Sequence, residues 1–168
     1  RLAWDMARWK TKLGLDEIEY YKSLYPNPVY RALVKSETGA TEFAPYVLRN
    51  GRVEAVHLVY IDDQLYYSSL SDEIKPYSLP IYEGYHDVKL RTYYGEVLVN
   101  NLFIEPGAKN ILAIDASGDQ SSTYTTTVGR DSVQVNISMY DKKRREKLSS
   151  TELEDIRNNL FVVNTHLT

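Results

Sequence analysis

The alternation of apolar and polar residues over 60–115 predicts a series of short β-strands around which the rest of the chain is organised. At its centre, residues 81–91 predict a turn and then a strand in which His86, Val88 and Leu90 alternate with polar residues. Such alternation is typical of a strand with one face on a core and the other in water. We therefore expect His86 to lie on the core face.

Similar patterns lie on both sides of this strand. Residues 52–61 are apolar on both faces, which predicts a central strand, and Asn50-Gly51 predicts a two-residue hairpin turn that joins it to 43–49. Pro80 predicts an edge strand, and Asn100-Asn101 predicts a bulge. The predicted strands outside this hairpin cover residues 29–34, 64–67, 77–82, 86–91, 96–104 and 110–115.

Short strands at spacings of about ten residues, with turns and no helices between them, indicate an antiparallel β-sandwich. We assign it to residues 29–115, after an N-terminal helical hairpin over 1–28 that would act as a cap. Residues 116–129, rich in Ser, Thr and Gly, predict a linker or long loop. The overall fold class expected is mainly β.

Residues 130–168 predict a partial second module of α+β type, with a strand, a helix and a second strand at 161–163. Ser149 and Glu152 have the spacing of a capping box at the start of that helix. A terminal strand without a partner, together with a chain that begins at Arg1, predicts a piece of a longer protein.

The amino-acid composition argues against several classes of protein function. Twenty Lys and Arg against 23 Asp and Glu give a net charge of -3, which argues against a broad nucleic-acid surface. The apolar runs are too short to predict a transmembrane segment. The absence of Cys excludes thiolate catalysis, zinc sites with Cys ligands and iron–sulfur clusters, and it leaves the redox compartment open.

No residue pattern predicts catalysis or metal binding. His57, His86 and His166 are isolated in the sequence, which favours packed or surface histidines over ligands. No Gly-x-Ser-x-Gly elbow is present. A calcium loop starting at Asp115 would need Glu at its twelfth position, where Thr126 stands. We assign no catalytic, cofactor-binding or metal residues and expect a protein that is not an enzyme.

Two further charged patterns have ordinary interpretations. The pairs Asp62-Asp63 and Asp72-Glu73 fall in predicted turns, where Asp is favoured, and do not predict the facing carboxylates of a glycosidase. The basic run at 142–147 predicts either a solvated turn or a contact with a phosphate or an anionic lipid.

Tyrosine is the unusual residue, with 15 Tyr against 2 Trp and 3 Phe. Aromatic side chains near turns offer a large contact area to a sugar ring or a protein partner. The same residues would otherwise close the ends of a core or form cross-strand pairs. The candidate binding residues are Tyr66, Tyr67, Tyr82, Tyr85, Tyr93 and Tyr94.

Three segments resemble the PEGA-type module of bacterial envelope proteins. They are Val59-Tyr-Ile-Asp-Asp63, Tyr82-Glu-Gly-Tyr-His-Asp-Val-Lys-Leu-Arg91 and Phe103-Ile-Glu-Pro-Gly-Ala108. The family pattern has a strand ending in Ile-Asp-Gly, a Gly-x-His-x-Val strand and a strand ending at Pro-Gly. Asp63 stands where the family prefers Gly. The chain is also similar to carboxypeptidase-regulatory-like and macroglobulin-like sandwich modules.

The resemblance implies a non-catalytic structural or partner-binding module of a multidomain bacterial protein. Such modules are periplasmic, displayed on the cell surface or secreted, and their partners are other domains of the same chain or envelope proteins. The alternative that the tyrosines favour is a carbohydrate-binding module with a glycan as ligand. A hydrolase is the third expectation.

Overall fold

The structure is a computed structural model that describes residues 29–49, 52–116, 122–128, 131–139 and 145–167. The helical cap predicted for 1–28 lies outside these residues. Within them, the chain forms eleven strands and one helix. The strands are β1 (Val29–Lys35), β2 (Glu42–Arg49), β3 (Arg52–Glu54), β4 (Leu58–Ile61), β5 (Gln64–Ser68), β6 (Leu79–Pro80), β7 (Gly84–Thr92), β8 (Gly95–Ile104), β9 (Ala108–Asp115), β10 (Ser122–Val128) and β11 (Asp131–Met139), and the helix is α1 (Ser150–Leu167).

The strands form two sheets, which confirms the prediction of a mainly β chain. One sheet has the order β1-β9-β2-β3, with β6 also paired to β2, and the other has the order β10-β11-β8-β7-β4-β5. Most neighbours are antiparallel, but β2 and β9 run parallel. The expectation of a purely antiparallel sandwich is therefore wrong at this pair, because β9 enters the sheet between β1 and β2.

The main core lies between the two sheets. It contains Phe43 and Ile114 of the five-stranded sheet and Val59, Leu90 and Val99 of the six-stranded sheet, all fully buried. Burying apolar side chains of this size stabilises a fold by about 1.5–3 kcal/mol each. This shared core holds the two sheets face to face.

A smaller cluster lies on the other face of the five-stranded sheet. Ala44, Tyr46 and Ile111 are buried there, and Ile74 and Tyr77 from the segment between β5 and β6 pack against them. The Tyr46 and Tyr77 rings meet edge to face, with centroids 5.2 Å apart. The segment between β5 and β6 is therefore anchored on this face.

The predicted strand at 52–61 divides into two strands that belong to different sheets. β3 pairs with β2, with Arg49 opposite Arg52, which agrees with a two-residue hairpin turn. β4 lies between β7 and β5 and is buried along its whole length, which confirms a central strand. The chain crosses between the sheets at residues 55–57, and this crossing positions His57.

The bulge predicted at Asn100-Asn101 is confirmed. The β7–β8 register shifts between His86 and Val88, and Asn101 has a φ of 65°. Val88 and Leu90 lie in the core, as the alternation predicts. The expectation that His86 lies on the core face is not met: it is not part of the main core, and its side chain contacts Asp62 in the β4–β5 turn.

The chain after β9 leaves the five-stranded sheet and continues in the six-stranded sheet. Residues 116–129 were expected to form a linker or long loop, but Ser122–Val128 form β10, and β11 pairs with β8. Val133, Val135 and Ile137 of β11 belong to the main core. Thr and Ser are compatible with an exposed edge strand because β-branched Thr favours extended backbone.

The helix α1 begins with the predicted capping box. The Ser149 N–H donates to Glu152 Oε1 at 2.8 Å, and the Glu152 N–H donates to Ser149 Oγ at 3.1 Å. The strand predicted at 161–163 is wrong, because α1 continues through these residues to Leu167. A short apolar run does not distinguish a strand from a helix segment by its periodicity. Within the described part of the chain, no helix combines the length and apolar character needed to cross a bilayer.

Candidate functional site

A surface groove of about 460 Å³ lies beside the N-terminal end of α1, and we call it the basic groove. Four separate parts of the chain meet there: the segment after β5, the β7–β8 turn, residues 145–149 and the first turns of α1. The lining residues are Leu70, Tyr93, Arg145, Lys147, Leu148 and Leu153. The volume lies within the range of small-molecule sites in proteins, roughly 300–1,000 Å³.

Buried Arg91 holds this arrangement together. It lies on the outer face of β7, is 2% exposed, and its Nε donates to Glu152 Oε2 at 2.9 Å. Its Nη2 donates to the carbonyl oxygens of Glu146 at 3.3 Å and Lys147 at 3.2 Å, and Nη1 donates to the Thr92 carbonyl. Because a guanidinium offers five donors in a fixed plane, one side chain can connect several chain segments. Arg91 therefore fixes residues 145–149 against the sheet.

Two further contacts hold α1 on the six-stranded sheet. The Tyr60 hydroxyl donates to Asp155 Oδ2 at 2.7 Å, and the Asn159 amide donates to the Leu65 carbonyl at 2.7 Å. Burial, followed by the hydrogen bond to Asp155, raises the pKa of Tyr60 above its ordinary value. This phenol therefore remains a hydrogen-bond donor at physiological pH.

His57 supports the groove from below. Its ring stacks on Tyr93 with centroids 3.6 Å apart, and the Arg145 guanidinium lies 4.3 Å from the centroid of the same Tyr93 ring. Asp72 lies between the two side chains, with Oδ1 3.4 Å from His57 Nε2 and Oδ2 2.9 Å from Arg145 Nη2. The position of Arg145 is thus set by Tyr93 and Asp72 together.

The hydrogen bonds of His57 determine its tautomer. Nδ1 lies 2.8 Å from the Ser69 carbonyl oxygen, which only accepts, so Nδ1 must carry a proton. Burial lowers the pKa of His57, despite the opposing effects of the Ser69 carbonyl and the Asp72 carboxylate. His57 is therefore a neutral, packed residue at physiological pH, and its ring acts as a support for Tyr93.

A second polar cluster lies at the opposite end of β7. His86 Nδ1 is 2.5 Å from Asp62 Oδ2, and Nε2 is 2.7 Å from the Tyr82 carbonyl oxygen. The Asp87 N–H donates to Asp62 Oδ1, and the Asn101 N–H donates to Asp87 Oδ1, both at 3.0 Å. Burial raises the pKa of Asp62, but the Asp87 N–H and His86 outweigh it and hold that pKa below its ordinary value.

This second cluster connects turns. Asp62 lies in the β4–β5 turn, His86 lies at the start of β7, and Asn101 is the bulged residue of β8. Each hydrogen bond joins two of these elements. In the described part of the chain, no group of three or more His, Asp or Glu residues has an arrangement that could hold a metal ion.

The six candidate tyrosines do not lie on one surface. Tyr66 and Tyr67 are half-buried against the main core, and Tyr94 is half-buried in the β7–β8 turn beside Tyr93 of the basic groove. Tyr82 and Tyr85 are 80% and 55% exposed, and the Tyr85 ring lies 5.0 Å from that of Phe103. Tyr82 and Tyr85 therefore present aromatic area at the end of β7 away from the groove, whereas Tyr93 presents its ring to the groove.

The sequence pointed to part of the groove. Tyr93 was a candidate binding residue, and Arg145 and Lys147 belong to the basic run at 142–147. The sequence did not predict that Leu70, Leu148 and Leu153 would line the groove, because they lie on different elements and show no common spacing. Nothing in the local pattern distinguishes them from ordinary surface leucines.

The basic groove combines apolar walls with positive charge. Among the described residues that line it are three leucines and the Tyr93 ring, and of these described residues Arg145 and Lys147 are the charged ones. The Lys147 ammonium is exposed and has no ionic partner among the described residues. Comparison of the chain with family models, with curated proteins and with solved structures gives no match.

Proposed function

We propose that this chain is a non-catalytic β-sandwich module that serves a structural and partner-binding role in a larger protein. The observation that carries this proposal is the use of its buried ionisable groups as internal cross-links. Arg91 binds Glu152, Arg49 binds Glu54 at 2.9 Å, and His57 donates to the Ser69 carbonyl.

Each of these contacts joins parts of the chain that are separate in the fold. Arg91 connects β7 to α1, and the Arg49 guanidinium reaches both Glu54 of β3 and the carbonyl of Ala116 after β9. Buried charges are costly unless they are paired, so such pairs are retained where they specify one arrangement of the chain. A rigid module that presents surfaces to neighbours is consistent with this use of charge.

We also propose that the module belongs to a bacterial envelope or secreted protein. The support is the resemblance of 59–63, 82–91 and 103–108 to PEGA-type modules. In the fold these segments are parts of the neighbouring strands β4, β7 and β8 with the turns that follow or precede them. Its partners would then be other domains of the same chain or envelope proteins.

A carbohydrate-binding role is the second candidate, and one observation favours it. Tyr82 and Tyr85 are exposed at one end of β7, and Phe103 lies beside Tyr85. Aromatic rings stack on sugar faces, so this pair would serve as a small platform. A Tyr82→Ala variant should then lose glycan binding on an array, whereas a wild-type protein without any array signal would exclude this role.

The main proposal is tested by removing an ionisable side chain and measuring the folded fraction and the cellular phenotype separately. In the full-length protein, His86→Gln should change the cellular phenotype only as far as it lowers the folded fraction, measured by thermal unfolding. The positive control is Arg91→Met, which should lower the folded fraction and weaken the cellular phenotype together. A variant that keeps its unfolding temperature and abolishes the phenotype would contradict a non-catalytic role.

A further inference from the structure

The apolar wall of the basic groove is exposed to solvent. Leu70 is 61% exposed and Leu153 is 45% exposed, and both line the groove. Leu148 and the Tyr93 ring complete the wall. Exposed apolar side chains that converge in a concave site favour an apolar ligand, because its binding removes their surface from water.

The charge of the groove is one-sided. Its two charged residues among the described lining, Arg145 and Lys147, both belong to the segment 145–149, and because Asp72 already pairs with Arg145, Lys147 supplies most of the uncompensated positive charge. The chain as a whole has a net charge of -3, so this is a local departure from the overall balance. A ligand with a negative head group would therefore match this wall of the groove.

Arg145 and Lys147 are prepared for this contact in different ways. Arg145 is held over Tyr93 and by Asp72, so its orientation is fixed before any ligand arrives. The backbone of Lys147 is fixed because its carbonyl accepts a hydrogen bond from Arg91 at 3.2 Å. A site whose cations are already positioned loses less conformational entropy on binding.

We infer that the basic groove binds a free medium-chain aliphatic carboxylate, with the chain against the leucines and Tyr93 and the carboxylate at Lys147 and Arg145. This inference rests on the proposed binding role and names the ligand class. The groove has the size of a small-molecule site. The combination of three leucines with cations on one side distinguishes this ligand from a sugar, which would need several hydrogen-bonding groups along its length.

The test uses decanoate as the probe, in isothermal titration calorimetry below its micelle concentration. Wild-type protein should bind decanoate with a saturable isotherm. Decanol, which lacks the charge, should bind about threefold more weakly, as expected for one exposed charge contact. Shortening the chain should weaken binding by up to about fourfold for each methylene removed, and acetate should not bind.

Two variants test the two halves of the site. Lys147→Gln should weaken decanoate binding about threefold and leave decanol binding unchanged. Leu153→Ala should weaken both ligands by about fivefold, because it removes apolar surface from the wall. The matched controls are Lys35→Gln and Leu33→Ala on β1, which have similar exposure and lie in the other sheet. They should bind like wild type.

Several results would overturn the inference. These are the absence of a saturable isotherm, equal affinity for decanoate and decanol, and equal effects of the groove variants and their controls. Binding to anionic phosphatidylglycerol vesicles but not to free decanoate would also overturn it, in favour of a membrane contact. These failures would leave the phenotype test of the non-catalytic role untouched, since that test changes His86, which lies at the opposite end of β7 from the groove.

Discussion

The Nε atom of Arg91 lies 2.9 Å from Oε2 of Glu152, and this contact joins β7 to the first turn of α1 across 61 positions of sequence. Arg91 is 2% exposed, and Glu152 and the backbone carbonyls of Glu146 and Lys147 are among the groups that compensate its charge. Glu152 also accepts the Ser149 N–H in the capping box. One carboxylate thus serves both the start of the helix and its attachment to the sheet.

Removing the Glu152 carboxylate should destabilise the protein strongly. Glu152→Ala removes a carboxylate partner from the buried Arg91 guanidinium, a change that typically costs about 3–5 kcal/mol. Urea unfolding followed by circular dichroism measures this loss. Glu154→Ala is the matched control, because its exposed pair with Arg157 contributes at most about 1 kcal/mol. Equal losses in the two variants would contradict the role of the Arg91 contact.

Replacing both members of the buried pair should be less harmful than removing one. In Arg91→Met combined with Glu152→Leu, no charge remains buried, and apolar side chains fill similar volume. Such replacements are often neutral or even stabilising. We expect the double variant to be more stable than Glu152→Ala in the same unfolding experiment. A double variant that is less stable would mean that Arg91 acts mainly through its hydrogen bonds to the backbone carbonyls.

His57 should make the protein less stable in mild acid. Burial lowers its pKa in the folded state, so below its ordinary value of about 6.5 the unfolded chain binds more protons than the folded one. Its contribution is therefore complete above that pH and is lost as the pH falls through the folded-state pKa. The groups that face it are Asp72, which favours the charged form, and Arg145 and Arg91, which oppose it.

The free energy of unfolding measured between pH 8 and pH 5 tests this expectation. His57→Gln keeps a donor for the Ser69 carbonyl and removes the titration, so its stability should depend less on pH over this range. His86→Gln is the control and should retain the part of the pH dependence that His57 causes. An unchanged slope in His57→Gln would show that other groups cause the acid sensitivity.

The two turn residues after β4 should respond in opposite ways to substitution by glycine. Asp62 and Asp63 have φ values of 51° and 66°, a conformation that disfavours side chains with a Cβ atom. Asp63→Gly should stabilise the protein by about 0.5–1 kcal/mol because it relieves this strain. Asp62→Gly should destabilise it, because it also removes the contacts with His86 and the Asp87 N–H. Thermal unfolding measures both, and stabilisation of Asp62→Gly would contradict the hydrogen-bonded role of that carboxylate.

Features that depend on neighbouring residues in the chain were predictable. The alternation in β7 correctly identified Val88 and Leu90 as core residues, because side chains on a strand alternate between faces. The bulge at Asn100-Asn101 and the capping box of Ser149 and Glu152 were also confirmed. In each case the determining contacts lie within a few residues or between adjacent strands.

Features that depend on distant residues were not predictable. The pattern places Arg91 on the outward face of β7, but only the fold brings Glu152 and the carbonyls of 146–147 to cover it. Residues 52–61 have one continuous strand pattern, yet they divide between two sheets. β3 pairs with β2 in one sheet, and β4 pairs with β7 in the other.

The sequence by itself determined that this chain is mainly β, where most strands between residues 29 and 115 lie and that Val88 and Leu90 face a core. It determined these because strand periodicity, turn residues and helix caps act locally. The tertiary structure decided that β2 and β9 run parallel, that the six tyrosines separate into buried and exposed groups, and that three leucines and two cations form one groove. These outcomes depend on packing between elements that are far apart in the chain. No single segment contains the contacts whose free energy decides them.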